Sequence, residues 1–359
     1  MNAFVPSPDA LPLPAPAWLF TFLLHLTFLL HLLAMNALLG GGVLLLAGRL
    51  AGGGEHHDRL QARLTKLLPT LFAATVTLGV APLLFMQVLY GQFFYTSSIL
   101  MGWPWWWSIV VLILAYYGFY LNSFRGERLG GARTAVILAA VVMVAWVGFL
   151  FTNNTTLMLT PERWAGLYFA DPAGRHLNGG EPLVWPRYLH MLLGAVAVAG
   201  LLLAWLGRRE ADRDHGDWLA RRGLGVFAWT TLLNVLAGVW QLLVLRPDVR
   251  RLFMGGSGHA TGLLVTGLVL AGILLGWSWR ARAGHGRVGP LLLLAVVEMV
   301  VMILMRHVVR DAYLGDLYRP AAMPVQTQGL NIGLFLVLLL ACGGATAWMV
   351  RRLLTAGEH

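Results

Sequence analysis

The chain has 359 residues, of which 58% are hydrophobic and only 12% charged, whereas soluble domains average roughly 45–50% apolar and 25% charged residues. This composition excludes an ordinary soluble protein and indicates a polytopic membrane protein, forming a single membrane-embedded domain over residues 1–359. The net charge of +10 could suggest nucleic-acid binding, but 25 of the 26 basic residues are arginines in short clusters between apolar stretches, so we interpret them as charges that set membrane topology.

The chain begins with a proline-rich segment, residues 1–16, which we expect to be an extended periplasmic lead-in. Nine apolar stretches follow, each close to the roughly 20 residues that cross a bilayer as a helix. The first is too long for the apolar part of a cleaved signal peptide, so we expect it to be retained. The predicted fold is therefore an all-α bundle of about nine transmembrane helices, at residues 17–48, 69–95, 104–122, 132–153, 187–207, 222–245, 259–279, 289–310 and 328–352.

The distribution of basic residues predicts the orientation of this bundle. Seventeen of the 26 basic residues follow the odd-numbered stretches, and basic connections stay on the cytoplasmic side. We therefore expect the N-terminus outside, the C-terminus inside and a multi-pass location in a bacterial inner membrane.

Five histidines lie in the apolar stretches: His25, His31, His190, His259 and His307. In the predicted orientation, all except His31 lie near the outer face of the membrane. His31 lies about 9 Å deeper than His25 and is turned about 120° from it. We do not expect those two side chains to serve one site.

Histidines from different helices at one depth suit the axial ligation of haem iron. The alternative is that each imidazole makes one hydrogen bond between helices. The only acidic residue inside a stretch, Glu298, is a candidate proton relay or haem ligand. Arg306, beside His307, could neutralise haem propionates or extend to the membrane surface. The single cysteine, Cys342, excludes a C-x-x-C-H haem attachment.

Several segments, in this order, resemble the large subunit of cytochrome bd quinol oxidases. They cover the second helix, the turn after the third, the end of the fourth, the fifth and the eighth. They are LGVAPLLFMQVLYGQFFYTSSILMG (78–102), RGERLGG (125–131), FTNNTTLMLTP (151–161), RYLHMLLGAVAVAG (187–200) and AVVEMVV (295–301).

The resemblance implies roles for individual residues. His190 would be an axial ligand of a low-spin haem b. Its partner in that family is a methionine at the start of the seventh helix, where this chain offers His259, so a bis-histidine haem is implied. Either His25 or His31 would be the ligand from the first helix. Glu298 corresponds to the glutamate at the high-spin haem, and His307 is an additional candidate ligand.

The chain also departs from that family. Gln87 replaces the glutamate of the second helix, residues 105–120 contain no acid, and the connection between the sixth and seventh helices is reduced to about residues 246–258. Because oxygen reduction consumes protons that such carboxylates deliver, these departures disfavour an oxidase.

We therefore predict a membrane cytochrome b with two or more haems b. It would pass electrons between the quinone pool and a periplasmic c-type cytochrome or iron–sulfur subunit, with or without further membrane subunits. The predicted ligand pairs are His190 with His259, His25 with His307, and His31 with Glu298. A divergent bd-type oxidase and a haem-free membrane anchor or transporter are the alternatives.

Overall fold

The computed structural model describes residues 12–284 and 286–356, and these residues are mostly helical. The proline-rich lead-in lies largely outside the described residues. The α-helices are α1 (Ala17–Ala51), α2 (Glu55–Leu100), α3 (Gly102–Arg125), α4 (Arg133–Met158), α5 (Trp164–Ala170), α6 (Val184–Gly207), α7 (Arg213–Val244), α8 (Pro247–Arg251), α9 (Gly258–Arg282), α10 (Val288–Leu314) and α11 (Gly329–Ala356).

Nine of the helices in the described part of the chain are long and apolar enough to cross a membrane. They are α1, α2, α3, α4, α6, α7, α9, α10 and α11, in the order of the nine apolar stretches. The predicted all-α, nine-helix membrane fold is confirmed. The two remaining helices, α5 and α8, are short, and both lie in connections that we expect at the outer face.

Two helices begin earlier than their apolar stretches predict, because their first turns are polar. Helix α2 starts at Glu55 and continues through Pro69 and Pro82; acidic residues in a first turn suit the positive end of the helix dipole. Helix α7 starts after Asp212, whose carboxylate accepts hydrogen bonds from the backbone N–H groups of Asp214 and His215. That carboxylate lies outside the membrane span, and hydrogen bonding from Arg59 lowers its pKa.

Glycines let the central helices approach until their backbones touch. A methyl group on Gly40 of α1 would collide with the carbonyl oxygen of Ala195 on α6. Between α6 and α7, a methyl group on Gly200 would lie 2.8 Å from the carbonyl oxygen of Gly223. Close packing of small residues is a common device of membrane helices. It fixes α1, α6 and α7 relative to one another.

We expect Gly40→Ala to destabilise the bundle by about 1–3 kcal/mol, the usual cost of overpacking a dense interior. The measurement is thermal unfolding of the purified protein in detergent. Gly343→Ala in α11 is the matched control, because a methyl group there meets no atom within 4 Å. Equal melting temperatures for the two variants would contradict the backbone contact.

The connections that we expect at the outer face are fastened to the bundle. The indole of Trp164 donates to the carbonyl of Leu157 at 2.8 Å, and the backbone N–H of Asn178 donates to the side chain of Asn153 at 2.8 Å. The backbone of Leu13 pairs with the connection before α11, donating to the carbonyl of Pro324 at 2.8 Å. These contacts cover the outer ends of the helices.

Helix α11 lies at the edge of the bundle. No residue of its most apolar segment is buried, and its Phe335 ring meets Phe85 of α2 with centroids 6.1 Å apart. Cys342 on this helix is exposed. The core that positions the polar side chains is therefore formed by the other eight long helices.

Candidate functional site

The imidazole of His190 is oriented by α7 and faces α10. Its Nδ1 lies 3.2 Å from the backbone carbonyl oxygen of Asn234. A carbonyl oxygen only accepts, so Nδ1 carries the proton and Nε2 carries the lone pair. That Nε2 lies 3.3 Å from the sulfur of Met302. A histidine whose Nδ1–H is held by a carbonyl is arranged as metal-ligating histidines are.

His259, the expected partner of His190, lies elsewhere. It is exposed and is the second residue of α9, close enough to His307 for their charges to interact. His190 lies six residues into α6, about 9 Å along that helix. Among the described residues, no contact joins these two imidazoles, because one lies at a helix end and the other lies deeper.

The structure brings His25 and His307 together, with ring centroids 4.9 Å apart and planes at 76°. Arg310 donates from Nη2 to Nδ1 of His307 at 2.8 Å. The proton of a neutral His307 is therefore on Nε2, which lies 3.2 Å from the carboxylate of Asp311. Both nitrogens of His307 are thus engaged, whereas Nε2 of His25 is buried without a hydrogen-bond partner. Of the two, His25 has the available ligand nitrogen.

His31 and Glu298 face different neighbours. Nδ1 of His31 lies 3.1 Å from the carbonyl oxygen of Thr75 on α2, which leaves its Nε2 with a lone pair. Glu298 faces α9, where a methyl group on Gly267 would lie 3.5 Å from its Oε1, and its Oε2 is buried without a partner. Among the described contacts, none joins His31 with Glu298.

Three arginines converge beside these histidines: Arg187 of α6 and Arg306 and Arg310 of α10. Their guanidinium groups lie close enough to repel one another, and the side chain of Arg310 is buried, with 6% exposed. Nη1 of Arg187 and Nε of Arg310 are buried without a partner. A buried donor on a charged group that makes no hydrogen bond costs free energy of folding. We therefore expect an anion to bind beside these arginines.

Aromatic rings and one carboxylate complete the surroundings of the arginines. The guanidinium of Arg306 lies 4.7 Å from the ring centroid of Phe28 on α1. That of Arg310 lies 4.3 Å from the ring centroid of Tyr90 on α2. The hydroxyl of Tyr90 donates to Asp311 at 3.1 Å. Asp311 already accepts a hydrogen bond from Tyr90 and faces Nε2 of His307. Its single negative charge does not balance the charges of three arginines.

Sequence reasoning singled out Arg306 but not Arg187, Arg310 or Met302. Arg306 and Arg310 are four residues apart, which places them on one face of a helix. Glu298 and Met302 have the same spacing, so the carboxyl lies one turn inward from the sulfur. Both spacings were visible in the sequence. What only the structure shows is that α6 places His190 and Arg187 opposite them.

A second group of histidines lies at the opposite ends of the helices, the face that we expect to be inside, and is separate from this site. Nδ1 of His56 lies 3.1 Å from Nδ1 of His215, and Nε2 of His56 lies 3.2 Å from the carboxylate of Asp214. The imidazole rings of His56 and His215 also stack near the ring of Trp218. Within residues 12–284 and 286–356, no group of three or more His, Cys, Asp and Glu side chains is arranged to hold a metal ion.

The fold is similar to that of a solved structure, the bd oxidase from Geobacillus thermodenitrificans. The match has a TM-score of 0.70 and covers 95% of this chain and 100% of that chain, with 13% sequence identity. No protein-family model and no curated protein sequence matches the chain. At this identity the likeness establishes the fold, and the chemistry is argued from the residues.

Proposed function

We propose that this chain is a membrane cytochrome b that carries electrons between the quinone pool and a periplasmic redox partner. The observation that carries the proposal is the position of His190. Its lone-pair nitrogen faces the sulfur of Met302, and its other nitrogen is held by Asn234. Three arginines lie on the same two helices, and two of them, Arg187 and Arg310, have a buried donor without a partner. The fold of a bd oxidase supports this proposal.

The donor atoms present are of the kinds that bind haem b. Imidazole nitrogen and thioether sulfur are axial ligands of haem iron, and guanidinium groups bind carboxylates such as propionates with directed hydrogen bonds. Haem b, when bound, supplies a one-electron redox centre whose potential depends on axial ligands, burial and nearby charge. Arg187, Arg306 and Arg310 would bind the propionates, and His190 with Met302 would bind the iron.

The proposed ligand set differs from the bis-histidine pair expected from sequence. A methionine ligand raises the reduction potential relative to a second histidine. A second haem would use His25 or His31, each of which has a ligand nitrogen free of hydrogen bonds in the described contacts. His307 would position Arg310 and Asp311 rather than bind iron.

The location of these residues near the outer face suggests the route of the electrons. Quinol would be oxidised at the outer leaflet, losing two electrons and two protons. The electrons would pass one at a time to the oxidised cofactor of a c-type cytochrome or iron–sulfur partner, and the protons would enter the outer aqueous phase. The connections at residues 155–185 and 311–327 would contact that partner.

The test is a reduced-minus-oxidised spectrum with haem extraction on the purified protein. We expect two or more haems b per chain, reduced by a short-chain quinol. A colourless protein, purified from cells that load haem into another membrane cytochrome, would contradict the proposal. That result would favour a haem-free anchor or transporter with the same fold.

The buried, unpartnered carboxyl oxygen of Glu298 favours one second candidate, a divergent terminal oxidase. A carboxyl group inside a membrane protein is a natural proton donor. The second candidate predicts rapid oxygen uptake by the purified protein with quinol as the only reductant, abolished in Glu298→Gln. Our proposal predicts slow oxygen uptake, and quinol oxidation that becomes faster, with reduction of the partner and no added oxygen uptake, when an oxidised partner is supplied.

A further inference from the structure

A basic cleft of about 540 Å³ opens at the inner face of the protein, opposite the histidines of the outer half. It lies between the end of α1, the first turns of α2 and the connection from α3 to α4. Five basic residues and two acidic residues line it, so it carries an excess of positive charge. The basic residues are Arg49, Lys66, Arg125, Arg128 and Arg133.

The cations of this cleft are only weakly compensated by protein charges, with Glu127 acting on Arg133 from a distance. In the described part of the chain, none of the five makes an ion pair within 4.0 Å, although arginines nearby on α2 do; Arg59 and Arg63 pair with Asp212 and Glu210 at 2.6 and 2.9 Å. Arg133 is held in place by the side chain of Asn122, to which its Nε donates at 2.7 Å. The cleft therefore presents fixed positive charge to whatever enters it.

An uncharged side chain in the cleft also lacks a partner. Gln61 is buried, with 9% exposed, and both its amide nitrogen and its amide oxygen are buried without hydrogen bonds. It is held against α1, where a methyl group on Gly48 would collide with its Nε2. An amide N–H beside several cations is a suitable donor to a phosphate oxygen.

Apolar side chains next to the cleft distinguish a lipid from a free anion. Phe124 lines the cleft and is 71% exposed, and Leu121 on the same helix is 39% exposed. On α2, Leu67 follows the cleft residue Lys66 and is 40% exposed. A phosphate ion gains no favourable contact with these apolar side chains, whereas the acyl chains of a lipid would cover them. Basic pockets at the cytoplasmic side of membrane helices commonly bind acidic lipid headgroups.

We propose that this cleft binds the headgroup of an anionic phospholipid of the inner leaflet. The phosphate would contact the basic residues and Gln61, and the acyl chains would lie on Phe124, Leu121 and Leu67. The site is independent of the haem proposal, since it uses none of the outer residues.

The test is a titration of the full-length protein, purified in detergent, with phosphatidylglycerol or phosphatidylcholine, followed by native mass spectrometry. We expect phosphatidylglycerol to bind at least about tenfold more tightly. Lys66→Gln/Arg128→Gln should weaken it about tenfold or more, since each basic residue near a membrane surface contributes about 1 kcal/mol. Arg213→Gln/Arg221→Gln removes two exposed charges from the same face and should leave the affinity unchanged.

Three outcomes would overturn the proposal. Equal loss in both double variants would show general attraction to a basic surface, and equal affinity for the two lipids would show no headgroup recognition. Displacement of phosphatidylglycerol by inorganic phosphate at comparable concentration would show a phosphate-ion site. Thermal unfolding of each variant confirms that the fold is retained.

Discussion

Met302→Leu is expected to remove one haem or to change its absorbance spectrum. The haem affected should be the one lost in His190→Ala. The reason is that Nε2 of His190 faces the sulfur of Met302 at 3.3 Å, and leucine fills a similar volume without a ligand atom. His259→Ala should leave that haem unchanged, because His259 is exposed at the start of α9. Reduced-minus-oxidised spectra and haem content of the three variants provide the measurement.

Two controls separate ligand loss from damage to the fold. Met299→Leu replaces a second buried methionine of α10, 5% exposed and three residues before Met302, and should keep every haem. His56→Ala removes an imidazole of the separate group beside His215 and should do the same. Loss of the haem in His259→Ala with retention in Met302→Leu would contradict the assignment and support the bis-histidine pair.

Arg310→Gln is expected to lower the midpoint potential of the nearer haem by roughly 40–90 mV. A buried positive charge stabilises the reduced form, and a unit charge roughly 10 Å away acts with about 1–2 kcal/mol at an effective dielectric constant of about 20. For one electron, about 59 mV corresponds to about 1.4 kcal/mol. Arg306→Gln should act in the same direction, and redox titration monitored by absorbance measures both shifts.

Arg319→Gln is the matched control, because Arg319 is exposed in the connection after α10. Solvent screens an exposed charge, so its removal should leave the potential nearly unchanged. An Arg310→Gln protein with full haem content and an unshifted potential would show that the arginine cluster serves another anion.

Hydrophobic segments were sufficient to predict the nine long helices of the described residues and their order. The helix starts at Glu55 and Arg213 were missed because polar residues begin those helices, and apolarity marks only the part inside the bilayer. Where the histidines meet was harder to predict. Sequence gives each residue a depth, but the partner depends on helix rotation and on which helices are neighbours.

His307 illustrates the limit of sequence reasoning. Its depth suggested His25 as a partner in binding haem, and the structure places the two rings in contact. The hydrogen bonds from Arg310 and toward Asp311 depend on rotamers, and they decide which imidazole keeps a free nitrogen. Met302 was not predicted for a different reason. Methionine is common in apolar helices, so its sulfur becomes a candidate ligand only when the structure shows the lone pair of His190 Nε2 facing it.

The contact between Gly40 and Ala195 has a consequence for how this fold can diverge. The helix that carries His25 and the helix that carries His190 touch there through their backbones, with no flexible side chain between them to absorb a change in size. A relative with a larger residue at position 40 must separate the two helices or change the facing residues together with it. Small residues at position 40 and at position 199, whose Cβ atom faces it, are therefore the pattern that this bundle should leave in its descendants.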